Sequence, residues 1–164
     1  MDFRWHARVG NRPHIDAAYD SPIGRLGITL RGAALTHIVL IGANDSVPLY
    51  RSRPAQQVLR QLDRYFSDPR SRFELQLDPS GTPFQRRVWQ ALSMLLPGEV
   101  VTYGHLARQL GTSARAVGGA CRANPIPLVI PCHRVTGANR VGGYMGTCRH
   151  VRLKRWLLTH ERTV

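Results

Sequence analysis

Alternation is the first readable pattern along the chain. Leu26, Ile28 and Leu30 alternate with small or polar residues, which predicts a strand. Ser21-Pro22-Ile23-Gly24 reads as a turn before it, and Arg31-Gly32 can turn the chain again. Leu35 to Leu40 can then return as a second strand, and residues 42–54 read as loop. The period changes next: Val58, Leu59, Leu62, Tyr65 and Phe66 follow helical spacing, while Phe73, Leu75 and Leu77 alternate as a third strand. Residues 19–78 therefore read as a small mixed α/β domain. Residues 1–18 are basic and aperiodic and are expected to form a flexible arm.

A linker is expected at 79–82, within Asp78-Pro79-Ser80-Gly81, and a second domain over 83–164. Thr82, Pro83 and Gln85 have the order of a capping box with proline at the first helical position. Phe84, Val88, Leu92 and Leu95 mark that helix's buried stripe, and Pro97-Gly98 stops it. Thr102 can cap a second helix with Tyr103, Leu106, Ala107 and Leu110 on one face, ended by Gly111. Ser113 can cap a third, with Val117, Ala120 and Cys121 inward. Two helices joined by a short glycine-containing turn resemble a helix-turn-helix. Ile126 to Ile130 reads as a short apolar strand, followed by a Gly-rich loop through Gly146. A last helix carries Leu153, Trp156, Leu157 and His160. The fold class is α+β: the small mixed α/β domain, then a mostly helical domain with a helix-turn-helix, winged-helix-like.

Charge adds a partner to this outline. The 164 residues hold 23 Lys and Arg against 10 Asp and Glu, a formal net charge of +13. A polyanion such as DNA is the simplest partner, because clustered cations release counterions from phosphate backbone; the other reading is a composition that uses Arg wherever surface charge is needed. The longest apolar run, Leu128 to Cys132, is far short of the roughly 20 residues that span a bilayer, and Arg4, His6, Arg8 and Arg12 break up any leading apolar stretch, so no membrane association is expected. Three cysteines without a Cys-x-x-Cys exclude a disulfide scaffold or a four-cysteine zinc site. The expected home is the reducing cytoplasm, at the nucleoid.

The candidate nucleophile is Cys132. Pro131 can open a helical turn there, so the thiol is expected to feel the positive end of the helix dipole and ionise more readily, with Arg134 adding charge nearby. His133 is adjacent, and side chains at i and i+1 do not face each other, so a bridging water suits a thiol–imidazole relay better than a direct bond. A third group should orient the imidazole. Glu161 lies four residues after Leu157 and borders the apolar face of the last helix. The competing reading of Cys-His is a cysteine packed as a small hydrophobe beside an exposed histidine. The third helix is unusual too. It offers Ala114, Ala116, Gly118, Gly119 and Ala120 where a base reader would carry Asn, Gln or several Arg. Adjacent glycines in a helix imply close backbone approach, either to a neighbouring helix or to a minor groove with Arg115 entering the base stack.

These residues together resemble the O6-alkylguanine-DNA alkyltransferase family. The resemblance rests on Pro131-Cys132-His133-Arg134-Val135, on Arg115-Ala116-Val117-Gly118 and Asn124-Pro125 before it, and on Leu157-Leu158-Thr159-His160-Glu161 after it. Gly81-Thr82-Pro83-Phe84-Gln85, Val88-Trp89, Pro97-Gly98-Glu99, Tyr103-Gly104 and Ser21-Pro22-Ile23-Gly24 extend it over about residues 19–162. The resemblance implies a suicide DNA-repair protein. It flips O6-alkylguanine out of double-stranded DNA and transfers the alkyl group irreversibly to Cys132, with no metal or organic cofactor. It implies His133 as base through a water, Glu161 as its polariser and Asn124 as the holder of the active-site turn. Tyr103, Cys121, Tyr144 and Met145 would form the substrate pocket. Arg115 would be the finger filling the gap left by the base, with Tyr103, Gly104, Thr112, Ala116 and Arg122 at DNA-contact positions. A monomer in solution is expected, with cooperative loading on DNA left open.

Two departures stand out: a shorter turn between Gly111 and Arg115, and a longer pocket loop between Gly143 and Lys154 that contains Cys148. Three other functions fit less well. A non-reacting lesion binder would carry a bulky residue in place of Cys132. A cysteine hydrolase would leave the charge unexplained. A DNA-binding regulator would need base-reading side chains.

Overall fold

The computed structural model describes residues 14–42, 45, 47, 52–145 and 150–162. Most of the expected arm, much of the 42–54 loop, and Gly146 and Cys148 in the pocket loop lie outside the described residues. Among the described residues the chain is mixed α/β, with five α-helices and two small sheets, and it divides into two compact units, Met1–Ser80 and Gly81–Val164.

The first unit is an antiparallel meander carrying one helix. Strands β1 (Ala17–Ser21), β2 (Gly24–Arg31) and β3 (Ala34–Leu40) pair in that order, with Ala17 opposite Ile28 and Leu26 opposite Leu40. Both turns match the sequence reading: Pro22-Ile23 links β1 to β2, and Gly32, at φ +62°, opens the turn to β3. Helix α1 (Arg53–Ser67) starts at Ser52, whose side chain accepts from the Ala55 amide, and buries Ala55, Val58, Leu62 and Tyr65. Completely burying a side chain such as Leu62 stabilises by about 1.5–3 kcal/mol.

Two expectations need correction in this unit. The arm was expected to run to residue 18, but Ala17 and Ala18 are buried in β1. Their small side chains carry almost no alternation signal, and pairing with β2 places them. The third strand expected over Phe73–Leu77 is not a strand: only Leu77 bridges, to Leu35. The Gln61 side chain explains this, because its amide takes both the Glu74 N–H (2.7 Å) and the Glu74 carbonyl (2.9 Å), and the ladder loses those partners.

The second unit begins with α2 (Pro83–Ser93), closed by the predicted capping box: Gln85 N–H donates to Thr82 Oγ1 (3.2 Å) and Thr82 N–H to Gln85 Oε1 (2.9 Å). Its buried residues are Val88, Trp89 and Leu92, with Phe84 and Leu95 only half-buried. The Trp89 indole N–H reaches the Ala120 carbonyl at 2.9 Å. A Cβ on Gly81 would fall 2.5 Å from this indole, so the chain can cross the ring there only as glycine.

Strand β4 (Val101–Thr102) leads into α3 (Tyr103–Gln109), and Ser113 caps α4 (Ala114–Arg122), whose Val117, Ala120 and Cys121 point inward as expected. Residues 126–130 do not form the expected strand. They coil: the Ile130 N–H bonds back to the Ile126 carbonyl, and Leu128 takes φ +74°. Residues 132–134 make one 3₁₀ turn, and β5 (Val135–Thr136) pairs in parallel with β4. Helix α5 (Val151–Arg162) buries Leu153, Lys154, Leu157, Leu158 and Glu161, while Trp156 and His160 are half-buried and stack on each other. Among the described residues, no helix is long and apolar enough to cross a membrane.

Candidate active site

Asn124 organises the approach to the cysteine. It follows α4 and turns its side chain into the coil after it. Its Oδ1 accepts from the Ile126 N–H (3.0 Å), and its Nδ2 donates to the Ile130 carbonyl (2.8 Å) and to Cys132 Sγ (3.2 Å). One amide thus closes the coil and touches the sulfur at its end. This replaces the ladder bonds of the expected strand, and it is why the segment coils.

The 3₁₀ turn then sends consecutive side chains to different partners. His133 is fully buried, and its Nε2 lies 2.8 Å from Glu161 Oε1. Burial lowers the His133 pKa; the Glu161 hydrogen bond and charge raise it, and Arg134 and Lys154 lower it again. The net direction is down, so the ring is neutral at neutral pH. Nε2 then donates to the carboxylate, and Nδ1 carries the lone pair. That Nδ1 is buried with no hydrogen-bond partner among the described residues.

Arg134 corrects an expectation, because its charge is not spent on the thiol. Its Nε donates to Glu161 Oε2 (2.9 Å), Nη2 to Oε1 (2.8 Å) and Nη1 to the Leu95 carbonyl (2.6 Å). The Gly98 N–H also donates to Oε2 at 3.2 Å. Burial pushes the Glu161 carboxyl up, but the hydrogen bonds and charges of His133 and Arg134 outweigh it and hold the pKa well below the usual carboxylate range.

The thiol pKa also departs from expectation: it is raised, not lowered. Cys132 is only 3% exposed, and its burial outweighs the hydrogen bond from Asn124, the charge of Lys154, its own backbone contact and the hydrogen bond from Tyr144. A single 3₁₀ turn carries too small a dipole to reverse this. The nearby cation is Lys154, which the sequence reading missed. It is fully buried and donates to the Val135 and Gly143 carbonyls, with Nζ 5.5 Å from the Tyr103 ring centre. Burial lowers its pKa to about 8 against the raising influence of Cys132 and Cys121. Cys121 and Tyr103 are both pushed up, chiefly by burial and then by neighbouring Cys132 and, for Tyr103, Cys121.

Of these groups, Tyr103, Cys121 and Cys132 line a pocket of about 570 Å³, within the range for small-molecule sites. Tyr103, Cys121, Cys132, Tyr144 and Met145 all line it, together with Gly137, Gly142 and Gly143. A planar heterocycle fits such a space, with a sulfur on its wall.

Comparison with known proteins identifies the lineage. The 6-O-methylguanine DNA methyltransferase family matches this chain twice, by its ribonuclease-like domain over residues 15–79 and by its DNA-binding domain over residues 83–163. The chain belongs to the 6-O-methylguanine DNA methyltransferase family. It is 40% identical over 134 residues to the methylated-DNA–protein-cysteine methyltransferase of Mycobacterium leprae, which covers 77% of this chain and 81% of the relative. The crystal structure of Mycobacterium tuberculosis O6-methylguanine methyltransferase matches with a TM-score of 0.78 and 35% identity, covering 92% of this chain and 93% of that one. Mycobacterium tuberculosis OGT, solved in complex with DNA, matches with a TM-score of 0.75 and 38% identity, covering 89% of this chain and 91% of that one.

Within this family member the remaining predicted residues fall on α3, on α4 and, for Thr112, in the turn between them. Arg115 and Arg122 are exposed, and Gly104, Thr112 and Ala116 are half-buried. Of these, only Arg122 also lines the pocket. The glycine pair of α4 is not explained by internal packing. A Cβ on Gly118 would meet Tyr103 at an ordinary 4.0 Å, and one on Gly119 would meet nothing within 4 Å. Lys154 had one signal in the sequence: three residues before Leu157, it falls on the same helical face.

Proposed function

We propose that Cys132 accepts the alkyl group from O6-alkylguanine in duplex DNA, in a single irreversible step that restores guanine. The observation that carries this reading is a buried sulfur on the wall of a base-sized pocket, hydrogen-bonded by Asn124, next to a neutral imidazole held by a buried carboxylate. The lone pair of His133 Nδ1 takes the thiol proton through a water, and Glu161 stabilises the imidazolium that forms. Sulfur attacks the alkyl carbon. The S–C bond forms, the C–O6 bond breaks, and its electron pair leaves on guanine O6. Protonation of the base yields guanine, and a donor such as the Tyr103 hydroxyl lowers the barrier by neutralising charge as it develops. Because the resting thiol is protonated, it stays quiet until the flipped base is seated against it and the relay takes its proton.

In this reading α3 and α4 act as a helix-turn-helix of a winged-helix-like domain over 83–164, joined through 79–82 to the α/β domain at 19–78. The exposed glycine of α4, with open space above it, supports close approach of a minor groove. Arg115 fills the stack, which offsets the few kcal/mol that base flipping costs. Gly104, Thr112, Ala116 and Arg122 contact the backbone around it. Tyr103, Cys121, Tyr144 and Met145 enclose the flipped base. The protein works as a monomer on DNA, in the cytoplasm at the nucleoid. The test is a mass spectrum after incubation with duplex DNA carrying O6-methylguanine. One methyl mass is expected on the peptide containing Cys132, with none in Cys132→Ala, which still binds DNA. Methyl transfer surviving in Cys132→Ala overturns the reading.

A further inference from the structure

The reaction makes no use of a row of charge on the first unit. On α1 the buried residues Ala55, Val58, Leu62 and Tyr65 occupy one side. At 3.6 residues per turn, Arg53, Arg60 and Arg64 lie within about 40° of one another on the opposite side. All three are exposed, and with Gln57 and Gln61 they line a groove of about 550 Å³. Arg64 also donates to the Arg72 carbonyl at 2.7 Å, which draws a further arginine's backbone beside the row. Asp63, the only acid on the helix, lies off the row and is engaged by the Tyr19 hydroxyl. Among the described residues, none of the three arginines has an ion-pair partner.

This placement works against the helix itself. Arg53 sits at the first helical position, where the N-terminal end of the dipole repels a cation, and no acid stands in the first turn. Arg60 and Arg64 repel each other at i, i+4. An anion along the row would remove both conflicts. The apolar side of α1 is already buried, so the helix has nothing to insert into a lipid surface. From Arg53 to Arg64 the helix rises about 16 Å, the axial length of about five phosphates on one DNA strand. Guanidinium groups suit phosphate oxygens, and the two glutamines offer uncharged donors beside them.

We propose that the Arg53–Arg60–Arg64 row is a second phosphate-binding surface, which takes the backbone of duplex DNA regardless of sequence or lesion. The proposal rests on the reading that this chain acts on DNA. Its test uses the full chain and an unmodified duplex of about 24 base pairs, with binding followed by fluorescence anisotropy from 50 to 200 mM NaCl. In the triple variant R53Q/R60Q/R64Q, the slope of log K against log salt should fall by about 2.7, at about 0.9 per phosphate, with at least a tenfold loss of affinity at 100 mM. Arg53→Glu alone should lower the slope by about 1 while melting at or above the wild-type temperature, because a carboxylate suits that helix end. This separates lost contacts from lost folding. Methyl transfer to Cys132 at saturating lesion duplex should not change. An unchanged slope in the triple variant overturns the proposal. So does an unchanged slope with lost binding to phosphatidylglycerol vesicles, which would make the row a membrane face. A wild-type chain that binds no duplex overturns both this proposal and the function it rests on.

Discussion

Lys154 and Glu161 stand seven residues apart on the buried face of α5, in very different company. Glu161 receives the Gly98 N–H, two arms of Arg134 and the His133 ring, and stays ionised. Lys154 has two carbonyls, an aromatic face and two thiols around it, with no ion-pair partner among the described residues, and its pKa falls to about 8. Burial is alike at the two positions, and the neighbours decide what it does. Around Glu161, matched charges fix a geometry. Around Lys154, charge is left near its titration point beside the sulfur. In the proposed reaction the carboxylate end would position the base, and the ammonium end would tune the nucleophile.

The largest effect should come from breaking the matched end. Arg134→Met leaves the Glu161 carboxylate buried with too few donors, and should cost about 3–5 kcal/mol in denaturant unfolding. The wild type keeps the stabilisation from Glu161 above the ordinary carboxyl pKa and loses it as pH falls through the depressed folded value. In the variant the folded pKa lies closer to the ordinary one, so the loss should be smaller and end at a higher pH. A variant that unfolds like the wild type at every pH would show that the cluster does not position His133 by charge.

Lys154→Met probes the unmatched end. The folded pKa of Lys154 lies near 8, below its unfolded value, so the unfolded chain binds more protons between the two. Wild-type stability should therefore rise between about pH 8 and pH 10.4, by about 3 kcal/mol at most, and the variant should lack that rise. The thiol should also become harder to ionise, so the pH profile of methyl transfer should move upward. A profile identical to the wild type would remove Lys154 from the chemistry.

The smallest effect is expected outside both clusters. Gly119→Ala adds a methyl group into open space within a helix, so it should stabilise folding by up to about 1 kcal/mol while weakening DNA binding. Tighter folding without weaker binding would mean that no groove approaches that face.

Local chemistry that shapes the backbone could be read directly from the chain. The Thr82–Gln85 box, the Ser52 and Ser113 caps and the glycine turns depend on neighbours within three residues. Of these only the Ser52 cap escaped notice, because the stripe from Val58 marked the helix but not its start. Cys132, His133 and Glu161 were readable from local residues and Asn124 from the family resemblance; the structure pairs Asn124 with Cys132 and His133 with Glu161. What failed depended on tertiary context. Ala17 and Ala18 become strand only when β2 pairs with them. Residues 126–130 look β-rich by composition, yet the Asn124 side chain offers them better hydrogen bonds. The direction of the thiol shift followed from burial, which no nearby residue announces, and the charge assigned to Arg134 went to a carboxylate 27 residues away.

The distance in sequence between Cys132 and Glu161 has a consequence for chain synthesis. A nascent polypeptide that has emerged only through the Pro131–Val135 motif carries the sulfur but not the group that orients its imidazole. In the proposed reaction, reactivity would arise only after α5 has been translated and has docked, so partial translation products would not consume themselves on damaged bases.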